Sequence, residues 1–287
     1  MKSLWITFGY TLRNLRGQTI GWGLGLAFFG LMIVSMYDSM AAQQDQLQQM
    51  LASYPEQFLA FFGADANTLI TPAGFLGMYA FSMMPLIIGI YSVLVGSGLI
   101  ASDEERGRLD LIITHPVGRT SFFFGRVLGA LASCLSIMLL GWLGFSLVLG
   151  RSSLGFSWGQ MLVPFLSLLA HTLVYVTLGL LLSLCLPSRS LSAMLTGLVL
   201  VTSYFVSSLS FMDERLESFS RLMPYHYFQT VLSFAELKLG WLFGLLGVSL
   251  LMTLLAWLCF LRRDIRLSGE GSWRLPMLFR QRRTTQA

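Results

Sequence analysis

ASDEERGRLDLIITHPVGRTSFFFGR, residues 101–126, is the one dense charge cluster that two membrane-length apolar runs enclose. It holds both signs of charge, an aliphatic stripe and a proline within 26 residues. Whatever flanks it must cross lipid, and the cluster itself must sit in water beside that lipid. The rest of the chain agrees. Hydrophobic residues make up 55% of it and charged residues 11%, against about 25% charged in an ordinary soluble domain. A chain so poor in polar surface has lipid for most of its solvent.

Six apolar runs are long enough to cross about 30 Å of hydrocarbon at 1.5 Å per residue. They cover roughly 17–37, 74–100, 122–149, 159–185, 191–211 and 240–261. They hold no acid and no Lys, and the one Arg, Arg126, stands at an end from which it is expected to snorkel. The first run is of full length and no small-residue cleavage site follows it, so it reads as an uncleaved span. The spacing thus predicts an all-α polytopic membrane protein. An interfacial amphipathic helix over 1–16 precedes a six-span domain over 17–261, and a basic tail occupies 262–287.

Arg and Lys set the orientation. Of the 19, only Arg151, Arg215, Arg221 and Lys238 fall on one side; both termini and the 101–126 cluster share the other. Both termini are therefore expected in the cytoplasm. The outer connections are not featureless. Leu47, Met50, Leu51, Tyr54, Phe58, Phe61 and Phe62 keep a helical stripe, and LESFSRLMPYHYFQTVLSFAELK is too apolar for a free loop and too broken by Pro224 to span. Short outer helices are predicted over about 43–63 and 213–238. Gly21 and Gly25, Gly125 and Gly129, and Gly240 and Gly244 each stand four apart, a spacing that lets spans approach closely. Pro85 and Pro164 are expected to kink the second and fourth spans.

Several function classes fall away. The excess of Arg lies in short flanks, a topology signal, and no aromatic-basic interleaving suggests nucleic acid. Cys134, Cys185 and Cys259 all lie in apolar runs without CxxC spacing; they read as small packing residues, and neither disulfides nor a metal centre is expected. Ion-coupled carriers use intramembrane ionisable groups, whereas the spans offer only His171, with Tyr175 one turn on. An intramembrane enzyme needs a nucleophile and base or a carboxylate pair, and the chain shows no GxSxG, HExxH or paired aspartates; Ser133, Ser136 and Ser183 read as bonded to their own helix carbonyls. A phosphate cradle needs a Gly-rich turn followed by Lys. The two lysines, Lys2 and Lys238, follow no such turn, and the polar connections are too short for a nucleotide-binding domain. Any uphill work therefore needs a motor on another polypeptide.

The cluster offers a surface for one. Ser102 is a plausible cap, Asp103, Glu104 and Glu105 suit a helix N-terminus, Leu109, Ile112 and Ile113 form a stripe, and Pro116 ends it. An amphipathic helix over about 103–115 is predicted, its charges facing the cytosol.

At these residues the chain resembles the ABC-2-type permeases, membrane subunits of ATP-binding-cassette exporters. Gly107, Leu109, Asp110, Ile112, Ile113, Pro116, Val117, Arg119, Gly125 and Arg126 match that family's inner-loop signature, with Arg108 in place of a small hydroxyl residue and Arg126 in place of Lys. LMPYHY (222–227) is similar to its outer-loop segment before the last span, and FLRRDI (260–265) to its ending after that span.

The resemblance implies a multi-pass permease in the cell's inner or plasma membrane, paired with a second permease subunit, identical or not, in a bed of membrane lipid. Two copies of an ABC ATPase subunit would bind ATP and Mg; this chain would hold no cofactor and no nucleic acid. Asp103, Glu104, Glu105, Arg106, Gly107, Arg108, Leu109, Asp110, Pro116 and Arg119 would form the ATPase-coupling surface, with the 1–16 helix as a connecting helix beside it. The path would run between subunits along the second and fifth spans, with His171, Tyr175 and Tyr204 beside it and Pro224, Tyr225, His226 and Tyr227 as an outer gate. The expected substrate is hydrophobic or amphipathic: a lipid, peptide or drug. The alternatives are a non-transporting subunit that transmits ATPase motion and an ion-coupled secondary carrier.

Overall fold

A computed structural model describes residues 2–43, 49, 71–105, 118–229 and 237–262. Its elements are α1 (Lys2–Ala41), α2 (Pro72–Leu76), a π-helical stretch (Gly77–Phe81), α3 (Met84–Gly98), α4 (Ala101–Glu105), α5 (Arg119–Leu147), α6 (Trp158–Cys185), α7 (Arg189–Leu209), α8 (Glu217–Ser220) and α9 (Leu239–Arg262), with short 3-10 turns at Leu149–Arg151, Glu214–Leu216 and Pro224–Tyr227. There is no strand among the described residues. Among the described residues, six helical stretches are long and apolar enough to cross a membrane: Ser3–Ala41, Pro72–Gly98, Arg119–Arg151, Trp158–Cys185, Arg189–Leu209 and Leu239–Arg262. These are the six runs that the sequence marks.

The first boundary differs from expectation. The 1–16 segment and the first span form one unbroken helix, so no joint separates them. The buried face of the segment is Thr7, Thr11 and Leu15, whereas Trp5, expected in the apolar stripe, is exposed. The reason is a neighbour. α1 and α5 run parallel, and Thr7 seats over Gly125 while Thr11 seats over Gly129. A Cβ at Gly125 would fall 2.7 Å from the Thr7 Cβ and 2.9 Å from the Leu4 carbonyl oxygen. Further along, the Ala27 backbone lies directly against Gly144. At the far end Asp38 accepts from the Ser153 amide at 2.9 Å and its hydroxyl at 2.6 Å. The other two glycine pairs do not mediate helix contact: Gly21, Gly25, Gly240 and Gly244 have nothing within 4 Å of where a Cβ would stand.

α6 is the central helix. Its most apolar stretch is 67% buried, against 22% for α9 and 28% for α1. Ser157 and Gln160 close a capping box at its start, and it continues through Pro164 without ending. It meets α3 backbone to backbone, with Gly96 against the Val176 carbonyl and Gly179 against Ser97. Phe81, Phe145 and Phe165 interlock at 5.5–5.7 Å between ring centroids and join α3's lead-in, α5 and α6. The second span is interrupted at Ser82–Met83, and Pro85 follows at the start of α3. There its missing N–H leaves no intrahelical bond unmade.

Outward, α1 presents Ile20, Leu24, Phe28, Met32 and Met36, α7 presents Met194, Leu198, Val201 and Phe205, and α9 presents Phe243, Leu250, Leu254 and Leu258. Apolar rims of this extent are lipid-facing surface.

Candidate functional site

The polar and aromatic side chains gather at two levels. The first is the end of the bundle that carries the 99–118 connection. α3 turns at Leu99–Ile100, and Asp103 donates its amide to the Ile100 carbonyl at 3.0 Å as α4 begins. Ser102 is not the cap; it lies within α4 and its hydroxyl donates back to the Gly98 carbonyl. Asp103 is 2% exposed and Arg126, on α5, 1% exposed, and the two form an ion pair. The Arg126 guanidinium also lies 4.8 Å from the centre of the Tyr10 ring and 5.3 Å from that of Phe122, geometry for cation–π attraction.

Two expectations are corrected here. Arg126 does not snorkel and Asp103 does not face water; each neutralises the other inside the protein. α1 and α5 close over them, and a desolvated charge persists only when paired. Glu104 is half-buried and Glu105 exposed, so the acids facing outward begin one residue later. Arg119 opens α5, exposed, and donates to the Leu261 carbonyl on α9 at 3.4 Å. Arg106, Gly107, Arg108, Leu109, Asp110 and Pro116 lie outside the described residues, as does the rest of the expected amphipathic helix.

The second level is an aromatic nest where the connection between α7 and α9 packs into the bundle. His171 and Tyr175 of α6 and Tyr204 of α7 are buried. Tyr225, on the 3-10 turn, joins them: its ring lies 6.0 Å from His171 and 5.2 Å from Tyr204, and Phe228 lies 5.7 Å from His171. His171 and Tyr175 pack edge to face at 4.9 Å. The three residues expected along a path are thus brought together with one of the expected gate residues, in the interior of a single subunit. Neither ring nitrogen of His171 has a hydrogen-bond partner among the described residues.

Three bonds hold the turn in place. The Tyr225 amide donates to Ser203 Oγ at 3.0 Å, the Tyr225 hydroxyl to the Ser82 carbonyl at 3.0 Å, and the Gln229 amide to Ser167 Oγ at 3.0 Å. The Ser82 carbonyl belongs to the interruption of the second span, so the outer turn is latched to the point where that helix is broken. Burial raises the Tyr225 phenol above its ordinary pKa, so it remains a donor.

Pro224 opens the turn. His226 and Tyr227 face away from the nest and pack on Trp241 at 5.7 and 5.6 Å. His226 Nδ1 meets Ser220 Oγ at 2.9 Å. Burial first, and then the nearby Arg221 charge, lower the His226 pKa below the usual histidine value, while Glu217 opposes this. The expected four-residue gate therefore divides into one inward latch and an outward pair. Of the predicted outer helices, 213–238 appears as α8 and two 3-10 turns, with 230–236 outside the described residues; of 43–63 only Gln43 and Gln49 are described.

Two features escaped sequence reading. Ser136 and Ser183 do bond their own helix carbonyls, at 2.8 Å each, but Ser133 reaches across: it meets the Tyr91 hydroxyl at 2.7 Å and the Thr19 hydroxyl, tying α5 to α3 and α1. Beside that link, Gly17, Gly21, Trp22 and Gly25 of α1 and Met84 and Ile88 of α3 wall an apolar cleft of ≈ 550 Å³. Serines are too common in spans for their partners to be read from spacing. Among the described residues no three His, Cys, Asp or Glu side chains gather to hold a metal ion.

No curated protein matches the chain. The family model of the ABC-2 family transporter proteins matches residues 8–265, from the first turns of α1 to just beyond α9, and the chain belongs to that family of membrane permeases.

Proposed function

We propose that this chain is the permease subunit of an ATP-driven exporter. Two copies, or this chain and a similar one, would form the path, and two separate ATPase subunits holding ATP and Mg would dock on the inner segment over about 103–115. The observation that carries this reading is the buried Asp103–Arg126 pair. It fixes the base of the charged segment to α5 and, through Tyr10, to α1, so force applied to that segment reaches two long helices at once. Asp103 then serves as the anchor of the docking surface. Contact with the motor falls to Glu104, Glu105 and the residues from Arg106 onward, where mixed charge gives register more than affinity. In this reading the termini and the docking segment face the cytoplasm, as the Arg bias favours.

The cargo class follows from the walls. The described spans expose apolar side chains almost throughout, and the cleft against α1 is nearly free of polar groups, which suits a hydrophobic or amphipathic molecule. The test is co-purification of the tagged chain with its ATPase, followed by substrate-stimulated ATP hydrolysis in nanodiscs. Reversing the charges of Glu104, Glu105 and Arg106 together is expected to leave membrane insertion intact and uncouple hydrolysis from transport. Unchanged transport in that triple variant overturns the docking assignment.

A further inference from the structure

The three cysteines are of two kinds. Cys134 is buried in α5. Cys185 and Cys259, 74 residues apart in sequence, bring their sulfurs to 3.7 Å. Cys185 is the last residue of α6 and is exposed; Cys259 lies in the last turns of α9 and is half-buried. Cys259 packs on the hydrophobic core, as the sequence reading has it, but the closeness of its sulfur to that of Cys185 lies beyond that reading.

Their position gives the pair a consequence. α6 and α9 run parallel and end together at the inner face. Cys185 is followed by a three-residue connection into α7, where the Arg189 guanidinium sits 3.1 Å from the position a Cβ would take on Gly98. Cys259 is followed by Phe260, whose ring stacks on Phe122 at 6.1 Å and packs on Phe123 at 5.7 Å, and by Leu261, whose carbonyl accepts from Arg119. One turn of α9 thus faces the end of α6 with a thiol and the start of α5 with an aromatic clamp. α9 is also the least embedded span. Cys185 is exposed and Cys259 half-buried at the ends of their helices, whereas Cys134 is buried, so an oxidant arriving at this end of the bundle meets the pair first.

We propose that Cys185 and Cys259 are an oxidisable dithiol that hydrogen peroxide closes into a disulfide, stapling the inner end of α9 to α6 and braking the permease. The Cys185 thiolate attacks peroxide, the O–O bond breaks, and a sulfenic acid forms with loss of one water. The Cys259 sulfur attacks the Cys185 sulfur, the S–O bond breaks, and a second water leaves. In sum two thiols and one peroxide give one disulfide and two waters, and a thiol reductant reverses it by exchange. The sulfurs must approach from 3.7 Å to about 2.0 Å, a movement within reach of side-chain rotation at two helix ends. The braking step rests on the permease reading; the staple does not.

The full chain with its ATPase, in nanodiscs, is treated with hydrogen peroxide. Thiols are then counted after denaturation by maleimide gel shift. One reactive thiol in place of three, restored to three by dithiothreitol, is the expected result, with no disulfide in Cys185→Ser or Cys259→Ser. Three thiols persisting, or over-oxidised Cys185 without a disulfide, overturns the staple. In the same samples ATP-driven transport is expected to fall at least several-fold on oxidation, to recover on reduction, and to be insensitive to peroxide in Cys185→Ser. A staple that forms while transport continues unchanged overturns the brake. A reduced complex that moves nothing overturns the permease reading instead, and the thiol count still decides the staple.

Discussion

Asp103 and Arg126 carry opposite charges into a place without water, and the energetics of such pairs are asymmetric. Removing one partner strands the other, at a cost of about 3–5 kcal/mol. Asp103→Asn or Arg126→Met alone is therefore expected to lower the thermal midpoint of the detergent-extracted chain sharply. Asp103→Leu with Arg126→Met recovers most of that loss, because two apolar groups leave no charge behind. If the double variant is as unstable as the singles, the pair is not what holds that end of the bundle. His171 is the contrasting case. Among the described residues its two nitrogens have no hydrogen-bond partner for His171→Phe to lose, while the ring contacts with Tyr175, Tyr225 and Phe228 are kept in kind. That variant is expected to hold or raise the thermal midpoint; a fall in transport without a fall in stability would place His171 on the path. The sequence located both residues but misjudged Arg126. A basic residue at a span end looks free to reach water, and only the helices that close over it, α1 and α4, decide otherwise. The Cys185–Cys259 contact was hidden for the same reason: hydropathy fixes how deep a residue lies and says nothing of its sideways neighbour.

At the level of elements, the spans followed closely from apolar run length, since depth in lipid is a local property; the joint expected after residue 16 and the Ser102 cap did not, since both depend on what packs alongside. Which glycines matter was not local. Gly125 and Gly21 stand in equivalent four-residue spacings, yet one lies under Thr7 and the other opens on a cleft. Gly125→Val is expected to push α1 off α5 and destabilise the chain by about 1–3 kcal/mol, as overpacking does. Gly21→Val is expected to cost little, and equal losses in thermal unfolding would contradict the packing described. The outer turn makes its own prediction. His226 has a pKa below the ordinary 6.5 because burial and Arg221 disfavour its charged form. As pH falls through and below that ordinary value the unfolded segment takes up a proton that the folded one resists, so stability is lost on acidification. The hydrogen-exchange protection factors over 217–229, taken against the intrinsic rate at each pH, are expected to fall below neutral pH, and His226→Gln to flatten that dependence.

Across the whole molecule, α1 spans 40 residues without interruption, about 60 Å at 1.5 Å per residue and so about twice the hydrocarbon thickness. One end rests on the guanidinium of Arg126, near where the charged segment leaves the bundle. The other is moored through Asp38 to the turn after α5. A rod so fastened along its whole length moves together with α5, as one body. A tilt of about 10° of that body around its midpoint would carry each tip about 5 Å in opposite senses, so a push on the tip beside the charged segment would arrive at the far leaflet with its direction reversed and its amplitude undiminished.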